Sequence, residues 1–178
     1  MPLLNVGMVL FLGSELTFFA GLFAMYFTLR GRPGPWPPGG VELELLPPTV
    51  FTTLLVASSG TMHLAVEGIR RGDVTRMNRW VVGTIVLGLV FLGGQVREWL
   101  TADFAVSSHA YGSAFFTMTG FHALHVVAGV LLMLTVLRRS AAGAYTAEDH
   151  AGVDATGYYW HFVDVVWLAM YSTIFLVR

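Results

Sequence analysis

An all-α, integral membrane bundle of five transmembrane helices is the fold class this sequence predicts, and three observations carry it. Charged residues make up 12% of the 178-residue chain, about half the share of a soluble domain, and hydrophobic residues reach 55%, above the usual range. The charges sit in short polar stretches and leave five long runs almost empty. Those runs hold 17 to 27 residues each, which at about 1.5 Å per residue spans about 25–40 Å, against a hydrocarbon core of about 30 Å. The same balance excludes other classes. Ten basic residues, all Arg, face 11 acidic ones for a net charge of -1, so no nucleic-acid partner is expected. With no Cys in the chain, disulfides, thiolate metal sites and Cys-held iron–sulfur clusters are out of reach.

The elements follow in order. The first helix is expected at about 4–30, because Val6–Leu29 carries a single charge, Glu15. Residues Met1–Gly7 have no basic side chain and the apolar run is too long for a signal-peptide core, so this helix is expected to be retained. The stretch Arg32-Pro33-Gly34-Pro35-Trp36-Pro37-Pro38-Gly39-Gly40 cannot be helical and reads as a turn-rich external loop. A second helix is expected at about 48–70 from the uncharged Pro48–Val66, and a third at about 79–99 from Trp80–Val96. The fourth, about 110–138, rests on Tyr111–Leu137, free of formal charge over 27 residues. The fifth, about 156–178, contains only Asp164 as a charge between Ala155 and Val177. With no repeat and no second hydrophobic pattern, residues 1–178 form one transmembrane domain in this reading.

Orientation follows from Arg. The N-terminal side would hold Arg70, Arg71, Arg76, Arg79, Arg138 and Arg139, and the opposite side Arg30, Arg32, Arg97 and Arg178. Six against four sets the N-terminus inside and the C-terminus outside. Trp36, Trp80, Trp99 and Tyr158 fall near helix ends, as interfacial anchors do.

Polar groups inside the spans are the candidate functional residues. A carboxylate at a helix centre costs about 2.5–3.5 kcal/mol on insertion scales, so Glu15 and Asp164 should face the bundle interior with partners. Around Glu15 lie Phe11, Leu12, Phe18 and Phe19, an apolar surround that penalises the ionised form. Beside it Ser14, Thr17, Gly21 and Ala24 form a small-residue stripe where another helix can approach. Two readings of Glu15 stand at this point, an interhelical hydrogen bond and a proton-linked carboxyl. His122 and His125 lie about 60° apart on one helical face, and His161 and Asp164 share that spacing. Imidazoles at such positions either hydrogen-bond between helices or ligate haem, although i,i+3 ligands on one helix point much the same way. His63, Gln95 and Glu98 add polar groups toward helix ends, while Glu67, Glu98 and Arg97 lie close enough to the interface to be solvated or snorkelling, snorkelling being the reading for Arg97. No metal site is expected.

Longer stretches then become recognisable. Gly7–Gly21, with its Ser14-Glu15 pair and the aromatics Phe18-Phe19, resembles the signature helix of subunit III of the haem-copper oxidases. The resemblance continues through Thr53–Gly60, Gln95 with Glu98, Tyr111–Phe116, Thr119–Val126 and Tyr158–Trp167, in order over essentially the whole chain. It is with the shorter, five-helix type, since many members carry two helices before the Ser-Glu helix. Asp154 stands where the family commonly has Glu.

The resemblance implies an accessory subunit, free of cofactor itself, with haem and copper in its partners. It implies packing against catalytic subunit I, alongside subunit II, of a proton-pumping terminal oxidase of a prokaryotic cell membrane. It implies support of proton uptake, protection against turnover inactivation, and bound phospholipid, for which Arg138 and Arg139 at the end of the fourth helix are the candidates. Glu15 looks like the family's carbodiimide-reactive carboxyl, and His122, His125, His161 and Asp164 like its internal polar network, with no catalytic residue. A quinol oxidase or nitric-oxide-reductase-associated subunit of the same family is an alternative. So are a small b-type cytochrome using His63, His122, His125 and His161, and a proton-coupled transporter built on Glu15 and Asp164.

Overall fold

A computed structural model describes residues 3–41 and 43–177. Arg178, assigned above to the outer side, lies outside the described residues, as do Met1, Pro2 and Glu42. Five helices follow one another: α1 (Leu3–Arg30), α2 (Leu46–Arg70), α3 (Val74–Thr101), α4 (Ala110–Ala141) and α5 (Ala151–Tyr171), the last running on into a π-helical turn over Ser172–Leu176. Each boundary has a local cause. Pro47 and Pro48 open α2 in its first turn, where a missing N–H costs nothing. Gly72 takes a positive φ of 76°, which turns the chain between α2 and α3 within three residues. Asp73 then accepts the Arg76 backbone N–H at 2.8 Å, so α3 starts at Val74 rather than at about 79, its first turns being polar but capped. At the start of α4, His109 Nδ1 accepts from the Gly112 N–H at 2.8 Å.

Four of these helices, α1 to α4, are long and apolar enough to cross a membrane. The fifth is not among them, so four of the five expected spans meet that measure, and the place of α5 in the bundle explains its more polar composition. Helix α5 packs against α1, α2 and α4 at once and buries thirteen of its 21 residues, whereas α1 buries only Asn5, Phe19 and Tyr26. A helix surrounded by protein can afford Asp154, His161 and Asp164, because its neighbours rather than lipid meet them.

Trp160 is the keystone of that centre. Its side chain is fully buried and lies between two glycines. A Cβ at Gly88 of α3 would sit 2.7 Å from its Cη2, and one at Gly129 of α4 would sit 2.7 Å from its Cε3. Its Nε1 donates to Ser58 Oγ of α2 at 2.9 Å, so one indole joins four helices. At the opposite end from the α2–α3 turn, Trp36 of the Pro-rich loop packs edge-on to Tyr26 and Tyr111, with ring centroids 5.4 and 5.2 Å away.

Candidate functional site

Two polar seams organise the titratable residues. The first joins α1 to α4. His125 Nδ1 lies 2.7 Å from the Phe121 carbonyl oxygen, and a carbonyl only accepts, so Nδ1 carries a proton and donates. His125 Nε2 then faces Glu15 Oε2 at 2.9 Å. One proton completes this contact, and the pair is net neutral whichever atom holds it. The two side chains are 16% and 19% exposed, and Phe18, Phe19 and Phe121 wall them in, with the Phe19 ring 4.9 Å from the imidazole. Tyr159 of α5 donates to the His125 carbonyl at 3.0 Å and stacks on Phe11, fixing α5 to the same point.

The second seam runs along the antiparallel α2–α5 contact. Thr49 Oγ1 and Tyr171 OH are 2.6 Å apart, Trp167 Nε1 donates to Thr52 Oγ1 at 2.9 Å, and Trp160 donates to Ser58 as above. Next, the Ser59 hydroxyl donates to Asp164 Oδ2. Ser59 has a single proton, so His161 Nδ1, 3.0 Å from Ser59 Oγ, is the donor in that contact. The seam ends at Arg70, whose guanidinium meets Asp154 Oδ1 at 2.9 Å, with His150 Nε2 3.6 Å from the other oxygen of Asp154. Beside this end a small cavity of about 160 Å³ is lined by His63, Arg70, Asp154 and His161 among others. Asp164 is buried, and its Oδ1 meets no partner among the described residues.

The residues singled out from sequence thus fall into separate places. His122 and His125 share a helix face but not a site. The His122 ring is fully buried against Phe91 and Trp167, with centroids 5.7 and 4.7 Å away. Neither of its nitrogens has a hydrogen-bond partner among the described residues. Gln95 is buried in an apolar groove between α3 and α4, beside Trp99 and Gly120. Glu98, one turn further toward the C-terminal end of α3, lies with Glu44, Thr101 and Asp103 in a polar recess. Arg139 sits over the Tyr145 ring at 5.4 Å, and Arg138 is exposed. Among the described residues no group of three or more His, Asp or Glu side chains is placed to hold a metal ion. Sequence reasoning missed Thr49, Thr52, Ser58, Ser59 and Tyr159, the hydroxyl partners. Their signals were runs such as Thr52-Thr53 or Ser58-Ser59 inside an apolar span and, for Ser58, Ser59 and Tyr159, a place in the segments Thr53–Gly60 and Tyr158–Trp167.

Glu15 in α1, the serines of α2 and the His-Asp pair of α5 therefore form parts of one interhelical scaffold. Those are the segments in which the sequence is most distinctive, and comparison with known proteins agrees over their full extent. The family described as cytochrome c oxidase subunit III matches residues 2–177. Cytochrome c oxidase subunit 3 of Thermostichus vulcanus is 43% identical over 173 residues, covering 97% of this chain and 86% of the relative. The probable cytochrome c oxidase subunit 3 of Mycobacterium leprae (strain TN) is 43% identical over 180 residues, 99% of this chain and 89% of its own. Cytochrome c oxidase subunit 3 of Corynebacterium diphtheriae is 42% identical, with the same two coverages. The signature segments, the membrane helices and these matches converge: the chain belongs to the cytochrome c oxidase subunit III family, the accessory subunit of a haem-copper oxidase.

Proposed function

We propose that this chain acts as a five-span scaffold beside catalytic subunit I, and with subunit II, of a prokaryotic oxidase, sustaining proton uptake and active lifetime. The haem and copper chemistry resides in those partners, and the relatives' names favour cytochrome c as the electron donor. The observation that carries the reading is how the intramembrane polar groups are used. Glu15, His125, Ser59, His161 and Asp164 bind one another across helix seams. Nε2 of His125 and Nδ1 of His161 are engaged in this way and Nδ1 of His125 is held by the Phe121 carbonyl of its own helix, which speaks against the cytochrome alternative, in which they would ligate haem. Glu15 is the proton-linked member of this reading, since its contact with His125 pairs two groups either of which can carry the shared proton.

Helix α5 serves as the fifth span. Its 21 residues reach about 31 Å at 1.5 Å each, and the π-turn lengthens it, so it matches the hydrocarbon thickness despite its polarity. The N-terminus then lies inside and the C-terminus outside, with the six-Arg end in the cytoplasm. Arg138 and Arg139 meet phospholipid at that interface.

The test is the oxidase complex purified with and without this chain. The reading expects unchanged haem absorption per catalytic subunit, retained oxygen reduction, slower proton uptake and a shorter lifetime under turnover. Loss of a haem signal that returns when the chain is restored would overturn it.

A further inference from the structure

Polar side chains that face outward from the bundle fall into two groups. On α1 the exposed Ser14, Thr17 and Thr28 each donate to a carbonyl of their own helix, those of Phe11, Gly13 and Ala24. Their protons are already used, so the bare face of α1 needs only apolar surroundings. Gln95 of α3 and Thr117 of α4 differ. Neither side chain forms a hydrogen bond among the described residues, although Thr119, two residues on, bonds back to the Phe115 carbonyl at 2.7 Å. Gln95 is only 5% exposed, and it shares with Thr117 the lining of one groove of about 560 Å³.

The groove has two walls. Helix α3 supplies Gln95 and Trp99, and α4 supplies its face from Phe116 to Val127, which extends about 16 Å, or three turns. Trp99 Nε1 donates to Thr119 Oγ1 at 3.0 Å, so the walls are fastened to each other before anything enters. Between them the trough stays open at Gly120, where a Cβ would meet nothing within 4 Å. No charged side chain is among the described residues that line it. Gln95 lies six residues before the end of α3, about 9 Å in. At such a depth no water replaces a missing hydrogen bond.

We propose that a transmembrane helix of the catalytic subunit packs into this groove and brings an amide or hydroxyl side chain to Gln95 and Thr117. Membrane helices associate through small residues that let backbones approach and through polar side chains that bond across the contact, and Gly120 with Gln95 offers both. Three turns is the length over which the ridge of one helix seats in the groove of another. An uncharged trough holds no partner for a phosphate headgroup, and an acyl chain would fill it while leaving the Gln95 amide unmet. The inference rests on the reading of this chain as a neighbour of the catalytic subunit, and it assigns the face by which the two meet.

The chain has no Cys of its own, so cross-linking in the assembled oxidase tests it directly. Leu124→Cys, on the rim of the groove, and Leu10→Cys, on the bare face of α1, are coupled to a benzophenone maleimide in native membranes and irradiated. Both positions are more than half exposed, so this arm decides the matter even where a Gln95 variant fails to fold. The groove position should give an adduct with the catalytic subunit, in a membrane segment that carries an amide or hydroxyl side chain, and the α1 position should give none with it. Gln95→Leu should weaken retention of the catalytic subunit through detergent purification about 3- to 30-fold, the range for one interhelical hydrogen bond. Gly120→Leu, which fills the trough, should weaken it too, and Thr17→Val should match the parent. An adduct with the catalytic subunit from position 10 and none from position 124 overturns the proposal, as does lipid as the sole adduct at 124, or undiminished retention in Gln95→Leu. A complex that purifies without any catalytic subunit overturns instead the scaffold reading on which the proposal rests.

Discussion

Gly129 and Gly120 both lie inside α4, and the structure assigns them opposite responses to one added methyl group. At Gly129 a Cβ would stand 2.7 and 2.8 Å from two Trp160 ring atoms and 3.3 Å from Tyr159, against an optimum of about 3.5–4.0 Å for carbon pairs. The indole has nowhere to retreat. On its other side the ring already fills the space that a Cβ at Gly88 would need, which would stand 2.7 Å from it, and its Nε1 is tethered to Ser58. At Gly120 a Cβ would meet nothing within 4 Å. The gain in helix propensity, about 0.8–1.0 kcal/mol in water, is common to both sites and cancels in the comparison, leaving an overpacking cost of about 1–3 kcal/mol at Gly129. At about 2–4 °C per kcal/mol for a chain of this size, Gly129→Ala should unfold roughly 2–12 °C below Gly120→Ala. Heating each variant in detergent and following Trp fluorescence measures the gap. Adding Trp160→Phe should rescue part of the loss, because the two sites couple through contact. A Gly129→Ala protein as stable as Gly120→Ala would refute the wedge.

Other perturbations address the seams directly. Glu15→Gln can still donate to His125 Nε2 and should assemble normally, whereas Glu15→Leu strands that nitrogen at about 1–3 kcal/mol; assembly yield and proton-to-electron stoichiometry on the two variants separate fastening from proton linkage, and a fully normal Gln variant removes the linkage. Single Cys residues placed at 71–73 and tested with an impermeant thiol reagent should label only in opened cells, and labelling of intact cells would invert the topology. His122→Ala should disturb packing against Phe91 and Trp167 while the haem absorption of assembled complexes stays unchanged; selective loss of one haem signal would revive the cytochrome reading.

Much of the scaffold was legible in the sequence because hydropathy reports the solvent a helix meets. Uncharged runs gave α1 to α4, and the Pro-Gly stretch after Arg32 gave the loop before α2. The start of α3 was not legible that way, since Arg76 and Arg79 look like loop residues until Asp73 is seen to cap them. Glu15 and Asp164 announced themselves through the cost of a carboxylate in lipid. Their partners did not. Ser59 of α2 reaches Asp164 of α5, and His125 of α4 reaches Glu15 of α1, through tertiary packing, which no spacing within one helix encodes, and the 60° between His122 and His125 sends the second to Glu15 and the first into an aromatic core. Asp154, noted only as a departure from the family's Glu, proved to close the α2–α5 seam on Arg70.

The contrast between α1 and α5 gives the Glu15 contact its weight. Helix α5 is fixed by a ladder of hydroxyl, indole and carboxyl contacts along α2, so no single rung sets its position. Helix α1 buries three residues, and its outer face, with Leu3, Leu10 and Leu16, is bare. It is held near its C-terminus by Tyr26 donating to the Thr173 carbonyl at 3.3 Å and Arg30 to the Val177 carbonyl at 2.7 Å. Toward its middle it has ring contacts of Phe11 with Tyr159 and of Phe18 and Phe19 with Phe121 and His125, and, among the described residues, one side-chain hydrogen bond to another helix, Glu15 to His125. Such interhelical bonds are worth about 0.6–2 kcal/mol in a membrane, which is a smaller share of what holds α5 than of what holds α1. Withdrawing the shared proton would leave two acceptors, Oε2 and Nε2, facing each other at the distance where a bond had been. On the proposed proton linkage of Glu15, the seating of α1 and the proton content of the pair would be one equilibrium.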